Sequence, residues 1–110
     1  IETQGEISFI FLGGTYSHCI VKRPRKGDFR VQYYYGGSVE KHQPPPQLID
    51  NATAYVNQFA KQCLYARVDG ILVNGTFLLM ELELIEPFLF LSTDNEAYRN
   101  YYNALKAFIP

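Results

Sequence analysis

Hydrophobic and polar positions alternate along the first third of the chain in a way that predicts β-strands. Residues 6–12 and 16–23 are rich in β-branched and aromatic side chains and are joined through Gly13-Gly14, which supplies the positive φ of a tight hairpin. A third strand is expected in DFRVQYYY, residues 28–35. The following segment, GGSVEKHQPPP, is predicted to be a loop, because three successive prolines lack backbone donors and fix φ.

Two later segments carry apolar residues at the three- and four-residue spacing of an amphipathic helix. The first begins at Gln47, and the second follows Pro87, with Thr93 and Glu96 as an expected capping box. The expected inner-face residues are Leu48, Ala52, Tyr55, Val56, Phe59, Ala60 and Cys63 in the first helix and Ala97, Tyr98, Tyr101, Leu105 and Phe108 in the second. The element order predicts an α+β fold, an antiparallel β-sheet with both helices packed on one face.

Between these helices lies a hydrophobic hairpin, RVDGILVNGTFLLMELE, that carries an unusual amount of charge. With a two-residue turn at Asn-Gly, Asp69 would lie opposite Met80 and the acidic residues would point to different faces. An odd register, produced by a bulge or by a three-residue turn with left-handed Gly75, avoids this. We therefore predict one face with Arg67, Asp69, Glu81 and Glu83, and an opposite face with Val68, Leu72, Leu78, Met80, Leu82 and Leu84.

Three carboxylates and one arginine on neighbouring strands have two interpretations. One is a partly exposed salt-bridge cluster. The other is a divalent-metal site, because Mg²⁺ takes a few carboxylate oxygens and completes its octahedron with water and phosphate oxygens. Three acids beside a single arginine repel one another unless a cation joins them, which favours the metal.

Length and composition exclude several classes of function. A chain of 110 residues that is 47% hydrophobic fits a single domain with a real core. Its formal charge of −1 provides no general attraction to nucleic acid or anionic membranes. Two cysteines form no metal or disulfide pattern, and no segment is apolar for long enough to span a bilayer, so a cytoplasmic protein is expected. The chain begins with Ile1, and we expect it to be a piece of a longer protein.

Other candidate groups carry weaker signals. The segment KRPRK and the aromatic run YYY suggest a nucleic-acid patch, but loop charge is normally solvated and tyrosines suit a pleated surface. His18 and His42 have no ligand partner at useful spacing. Cys19 follows His18 in a strand and therefore points to the other face, so we interpret it as a core residue.

The charged hairpin has a recognisable pattern. RVDG followed by MELE resembles the metal-binding hairpin of the ATP-grasp superfamily, in which an Asp on one strand and the E-x-N of the next hold the Mg²⁺ ions of ATP. Upstream, VKRPRKGDFRVQYYYGG resembles the strand, loop, strand and Gly-Gly of bacterial glutathione synthetases and ribosomal-protein glutamylating ligases. The resemblance covers nearly the whole chain. It implies the C-terminal catalytic subdomain of a prokaryotic glutathione synthetase-type ATP-grasp protein, with residues 1–110 as one domain and the other subdomains upstream.

The resemblance implies roles for the charged residues of the hairpin. Asp69 and Glu81 match the metal ligands, and Glu83 stands where the family usually has Asn, so it is a third candidate ligand. Arg67 resembles the arginine that stabilises the acyl-phosphate and the tetrahedral intermediate.

Further candidates lie upstream of the hairpin. Arg30 matches the arginine that contacts phosphate, and Lys22 is expected to face the phosphates or to have only a surface role. Glu6 resembles the acid that accepts hydrogen bonds from the ribose hydroxyls. Gly36 and Gly37 either present backbone N–H groups to the acceptor substrate or end a strand.

The implied function is a ligase that joins a small-molecule carboxylate to an amine, with ATP and with Mg²⁺, or Mn²⁺ in its place. The chain alone is expected to be inactive, and no nucleic-acid or membrane partner is expected. Two alternatives remain open. One is a non-catalytic nucleotide-binding or regulatory module, for which Glu83 in place of Asn is the indication. The other is a structural α+β domain with a surface salt-bridge cluster.

Overall fold

Strands and helices account for most of residues 5–23, 38–84 and 89–109, which are the part of the chain that the computed structural model describes. The elements in chain order are β1 (Glu6–Leu12), β2 (Thr15–Arg23), β3 (Ser38–Lys41), α1 (Pro46–Phe59), β4 (Tyr65–Val73), β5 (Thr76–Glu83), a 3₁₀ turn (Leu91–Thr93) and α2 (Ala97–Phe108). The strand predicted at residues 28–35 lies outside the described residues. No helix in the described part of the chain is long and apolar enough to cross a membrane.

The described strands form one antiparallel sheet in the order β3-β2-β1-β4-β5, which confirms the predicted α+β class. The prediction of a loop over the segment before the prolines is wrong in part, because Ser38–Lys41 pairs with β2 as an edge strand. The prolines come after this strand. Pro46 lies in the first turn of α1, where its missing N–H breaks no hydrogen bond of the helix.

The two helices cover opposite faces of the sheet. Leu48, Ala52 and Val56 of α1 pack with Phe9, Phe11 and Cys19 in one core, while Ala104 of α2 packs with Ile10, Leu12, Ile20 and Phe90 in another. The expectation that both helices share one face is therefore wrong. The physical reason lies in β1, which is apolar at consecutive positions and so needs a cover on both faces.

Helix α1 confirms most of its predicted apolar stripe. Leu48, Ala52 and Val56 are buried as expected, and Ala60 is buried in the same core, against which Tyr55 and Cys63 also pack. Phe59, the last residue of the helix, is exposed, so its predicted place on the inner face is wrong. The helix itself ends before Ala60, whose N–H donates to the carbonyl of Val56, so Ala60 and Cys63 reach the core from outside it.

Helix α2 begins later than predicted. Thr93 belongs to the 3₁₀ turn, where its hydroxyl donates to the carbonyl of Phe90, and it does not form a capping box with Glu96. Asp94 instead accepts a hydrogen bond from the backbone N–H of Glu96. Ala97 is buried and Tyr101 packs against the core, as predicted. Tyr98, Leu105 and Phe108 are exposed, so their predicted place on the inner face is wrong, and Ala104 is buried instead.

Candidate functional site

The hairpin of β4 and β5 reaches the predicted register by a bulge. Asn74 and Gly75 form a two-residue turn with φ of 53° and 80°, so the bulge, and not a three-residue turn, produces the predicted register. The pairing then shifts between Asp69 and Gly70, which places Asp69 opposite Glu81. Because directly opposed residues point to the same side of a sheet, the bulge confirms that the charged residues share one face. We call it the cluster face; it carries Arg67, Asp69, Glu81 and Glu83.

Gly70 lies where the neighbouring strand β5 leaves no room for a side chain. A Cβ at Gly70 would collide with the ring of Phe77 and with the carbonyl oxygen of Leu78. The Phe77 ring fills this space and is buried, whereas Leu78 and Met80 are exposed, so their predicted place in the core is wrong. Val68 is fully buried, and Leu72, Leu82 and Leu84 pack against the same core as predicted.

The acidic cluster, defined as Asp69, Glu81 and Glu83, has the geometry of a small oxygen cage. One oxygen from each carboxylate lies within 4.8 Å of the others. Asp69 is buried with 1% of its surface exposed, while Glu81 lies exposed on the edge strand. The three side chains therefore form a site that is closed on the β4 side and open toward solvent.

Arg67 holds two of these carboxylates. Its Nε donates to Asp69 Oδ1 at 3.0 Å and its Nη2 donates to Asp69 Oδ2 at 2.9 Å, a bidentate pair. The same Nη2 donates to Glu83 Oε2 at 2.8 Å. Arg67 is itself only 8% exposed, so its pair with Asp69 is buried, whereas its pair with Glu83 lies nearer to solvent.

Electrostatics at the site show an excess of negative charge. Burial alone would lower the pKa of Arg67, but the hydrogen bonds and charge of Asp69, followed by the charges of Glu83 and Glu81, raise it. The pKa of Glu81 is raised, first by desolvation and then by the negative charges of Glu83 and Asp69. A site that disfavours ionisation of its own outer carboxylate is one that a cation would relieve.

Ser8 adds an unsatisfied oxygen to the same face. It is the β1 residue directly opposite Asp69 and is 0% exposed. Within the described part of the chain, its Oγ has no hydrogen-bond partner. Buried hydroxyl groups are normally paired, and hard divalent cations and their bound waters take oxygen ligands. The donor set thus fits Mg²⁺ or Mn²⁺.

The other predicted site residues fall into two groups. Glu6 and Lys22 are opposed on β1 and β2, and Lys22 Nζ lies 2.8 Å from Glu6 Oε1. Arg30, Gly36 and Gly37 lie outside the described residues, so their predicted roles remain predictions.

Phe90 is a residue of the cluster face that the sequence did not indicate. Its ring centroid lies 5.8 Å from Arg67 Cζ and 6.0 Å from Lys22 Nζ, within the range of cation–π contacts. The ring therefore contacts a cation of the hairpin and a cation of β2. No periodic signal marks this residue, because it lies between β5 and the 3₁₀ turn.

Cys19 has the role that the sequence predicted. It is buried in the core under α1, and burial raises the pKa of its thiol to about 12. Thiolate is the nucleophilic form of cysteine, so this residue is unsuited to nucleophilic chemistry.

Comparison with known proteins identifies the fold. No protein-family model and no curated protein matches the sequence. Among solved structures, the chain is similar to a crystal structure of D-cycloserine synthetase, with a TM-score of 0.78 and 22% identity over 96% of this chain and 38% of that one. It is also similar to a crystal structure of D-alanine–D-alanine ligase from Bacillus anthracis complexed with ATP, with a TM-score of 0.65 and 21% identity over 99% of this chain and 38% of that one.

These similarities confirm the predicted ATP-grasp fold. The chain spans less than two fifths of the length of either protein. At this level of identity the likeness concerns the fold, and the more specific glutathione synthetase type remains a prediction.

Proposed function

We propose that this chain is the catalytic domain of an ATP- and Mg²⁺-dependent carboxylate–amine ligase. The observation that carries the proposal is the convergence of Asp69, Glu81 and Glu83 on one face, with Arg67 bonded to two of them. The fold shared with two ligases of small molecules supports it. We further propose that the remaining ATP-grasp subdomains lie upstream in the same protein and that its substrates are a small carboxylate and a small amine.

In the proposed reaction, the acidic cluster holds the metal. A bound Mg²⁺ would neutralise phosphate charge and align the γ-phosphoryl group for transfer. Asp69 and Glu81 are the proposed principal ligands, and Glu83 is the third. Glu83 brings more negative charge than the family's usual Asn, so the question of a second metal rests on this residue.

The chemistry has two steps and needs no protein nucleophile. A substrate carboxylate oxygen attacks the γ-phosphorus of ATP, which forms an acyl-phosphate and releases ADP. The amine nitrogen then attacks the acyl carbon, the carbon–oxygen bond to phosphate breaks, and the nitrogen loses a proton. Arg67 is proposed to stabilise the negative charge that develops on the acyl-phosphate and on the tetrahedral intermediate, for which a fixed guanidinium is well suited.

The other candidate residues are proposed to position the substrates. Arg30 and Lys22 would contact phosphate oxygens, and Glu6 would accept hydrogen bonds from the ribose hydroxyls. Gly36 and Gly37 would present backbone N–H groups to the acceptor. The ion pair between Lys22 and Glu6 is consistent with this proposal only if nucleotide binding separates the two side chains.

A second candidate function is supported by one observation. Glu83 Oε2 accepts from Arg67 at 2.8 Å, a charged pair that the usual Asn would not form. If that pair persists with nucleotide bound, Arg67 is not available for the acyl-phosphate, and the domain is a non-catalytic nucleotide-binding module. Nucleotide binding without ATP turnover by the full-length protein is the result that would favour this candidate.

ATP turnover by the full-length protein tests the proposed function with three conservative variants, Asp69→Asn, Glu81→Gln and Arg67→Lys. Each should lower turnover by about a hundredfold or more, the typical effect of losing a transition-state charge contact. Glu40→Gln is the matched control, because Glu40 is an exposed acid on the opposite edge strand, and it should retain the parent rate. If all three variants turn over ATP within about threefold of the parent, a salt-bridge cluster replaces the ligase site.

A further inference from the structure

Phe90 is buried although it lies outside every helix and strand. Only 8% of its surface is exposed, and it belongs to the core formed by Ile10, Leu12, Ile20 and Ala104. The ring also contacts Arg67 and Lys22, at 5.8 Å and 6.0 Å from its centroid. One side chain thus joins the α2 core to the two cations of the cluster face.

The backbone of Phe90 adopts a conformation that aromatic residues rarely take. Its φ and ψ are 54° and 41°, the left-handed region, in which an L side chain crowds its own carbonyl. Such strain persists only when surrounding contacts fix it, and it is concentrated at functional sites. Here the carbonyl of Phe90 accepts from Thr93 Oγ1 at 2.7 Å and from Thr93 N at 3.2 Å.

A buried histidine fixes the residue before Phe90. His18 Nε2 lies 2.8 Å from the carbonyl oxygen of Leu89, and since a carbonyl can only accept, Nε2 carries the proton. His18 Nδ1 then accepts from Ser17 Oγ at 2.7 Å, and Ser17 Oγ accepts from Asn100 at 2.9 Å. The chain of hydrogen bonds runs from Asn100 of α2 through Ser17 and His18 of β2 to Leu89. Phe90 is therefore held on its N-terminal side through Leu89 and on its C-terminal side by Thr93.

We propose that Phe90 is a positioning residue for Arg67 and Lys22, and that His18 holds Phe90 in place through Leu89. The electron-rich ring attracts both cations and fixes their places on the cluster face, Arg67 beside the acidic cluster and Lys22 beside Glu6, before substrates bind. The inference rests on the proposed function for its catalytic consequence. The positions of the cations themselves do not depend on turnover.

The first test replaces the ring while keeping an apolar side chain. Phe90→Leu is compared with Phe11→Leu, an equivalent truncation of a buried ring in the other core, away from the bulge. In the full-length protein, Phe90→Leu should lower kcat by about tenfold or more because Arg67 loses its position, and it should raise KM for ATP because Lys22 is proposed to contact phosphate oxygens. Phe11→Leu should lower the melting temperature and leave kcat of the folded protein unchanged. Equal kcat in both variants would overturn the proposal.

The second test needs no turnover. The side-chain Nε–Hε resonance of Arg67, assigned by its loss in Arg67→Lys, should carry a ring-current shift that disappears in Phe90→Leu and persists in Phe11→Leu. An unchanged resonance in Phe90→Leu would show that the ring does not set the position of the guanidinium. If the parent protein turns over no ATP, the proposed function fails, and this resonance still decides the inference.

The role of His18 is tested by a pair of variants. Gln can place an N–H donor near the position of His18 Nε2, whereas Leu cannot. His18→Gln should keep kcat and the Arg67 resonance, and His18→Leu should reproduce the loss seen in Phe90→Leu. If His18→Leu matches the parent in both measurements, His18 does not position Phe90.

Discussion

Asp69 is a carboxylate in an almost fully buried strand position, and Arg67 makes that burial tolerable. Burying an unpaired ionised carboxylate costs several kcal/mol, and removal of one partner from a buried ion pair typically destabilises a protein by about 3–5 kcal/mol. The bidentate geometry of this pair therefore makes Arg67 a structural as well as a chemical residue. For that reason, variants that keep charge or shape, such as Arg67→Lys, give clearer tests of chemistry than Arg67→Ala.

The effect of Glu81 on stability distinguishes a structural salt-bridge cluster from a metal site. It is exposed and lies close to two other carboxylates, whose charges raise its pKa. Removing its charge should relieve repulsion, so Glu81→Gln is expected to leave stability unchanged or to raise it by about 0.5 kcal/mol, the scale of exposed charge pairs. Urea denaturation of parent, Glu81→Gln and the control Glu40→Gln measures this. A loss of more than about 1 kcal/mol in Glu81→Gln would indicate that the cluster exists for stability.

His18 predicts a pH dependence of stability. Burial lowers its pKa below the ordinary value of 6.5, despite the Leu89 carbonyl and the charge of Asp94, which act in the opposite direction. As pH falls below 6.5, the unfolded chain takes up a proton that the folded protein does not, so stability falls until the lower folded pKa is reached. Above that range the contribution is constant.

The measurement is urea denaturation between neutral and mildly acidic pH. His18→Gln should flatten the dependence. His42→Gln is the control, because the pKa of His42 is also lowered, by burial and by Arg23. This variant should remove only the contribution of His42 to the pH dependence of stability and should keep the contribution of His18. A slope that is the same with and without His18 would contradict the assigned protonation state.

At the scale of elements, the bulge in the charged hairpin is what gathers the site. The sequence was sufficient to predict that the four charged residues share a face, because the alternative separates the acids by the period of two along a strand. It was not sufficient to predict how. The Asn-Gly turn has its favoured two-residue form, and the extra residue of the bulge is Met80 of β5, between the partners of Asp69 and Gly70. The Phe77 ring and the Leu78 carbonyl lie so close to Gly70 that only glycine fits there, a contact that the sequence does not reveal.

Gly70 provides the test of this element. In Gly70→Ala the new methyl group collides with the Phe77 ring and the Leu78 backbone, so the variant should lose about 2–3 kcal/mol, the scale of core overpacking. Gly75→Ala is the matched control, since its surroundings are open and only its positive φ of 80° is unfavourable. It should lose about 1 kcal/mol. Equal losses in the two variants would show that the bulge is not tightly packed.

The helices show where prediction from sequence ended. Helical spacing located both helices, and the buried residues of α1 were found because they form a single stripe. In α2, aromatic residues occur on several sides, and the small residue Ala104 lies inside, where even a Cβ added to Gly13 would come within 3.3 Å of the Ala104 Cβ. Hydrophobicity alone favours the large residues, so it placed Tyr98, Leu105 and Phe108 in the core instead of Ala104.

At the scale of the whole molecule, the two faces of the sheet differ in composition. The face under α1 is a continuous apolar core, whereas the cluster face combines the α2 core with the acids, their arginine and Phe90. Motif resemblance could single out Asp69, Glu81 and Arg67 as candidates, because these residue types recur at a fixed spacing. Ser8, His18 and Phe90 could not be found in that way, since their significance lies in contacts between distant segments.

The acidic cluster is proposed to hold the metal that ATP turnover requires. The most direct measurement is the Mg²⁺ dependence of ATP turnover by the full-length protein, compared between the parent and Glu81→Gln at saturating ATP. Loss of one carboxylate ligand should raise the half-saturating Mg²⁺ concentration by about tenfold or more, a change equal to about 1.4 kcal/mol, without unfolding the domain. If the two Mg²⁺ curves coincide, Glu81 does not hold the metal, and the acidic cluster is not the metal site of a ligase.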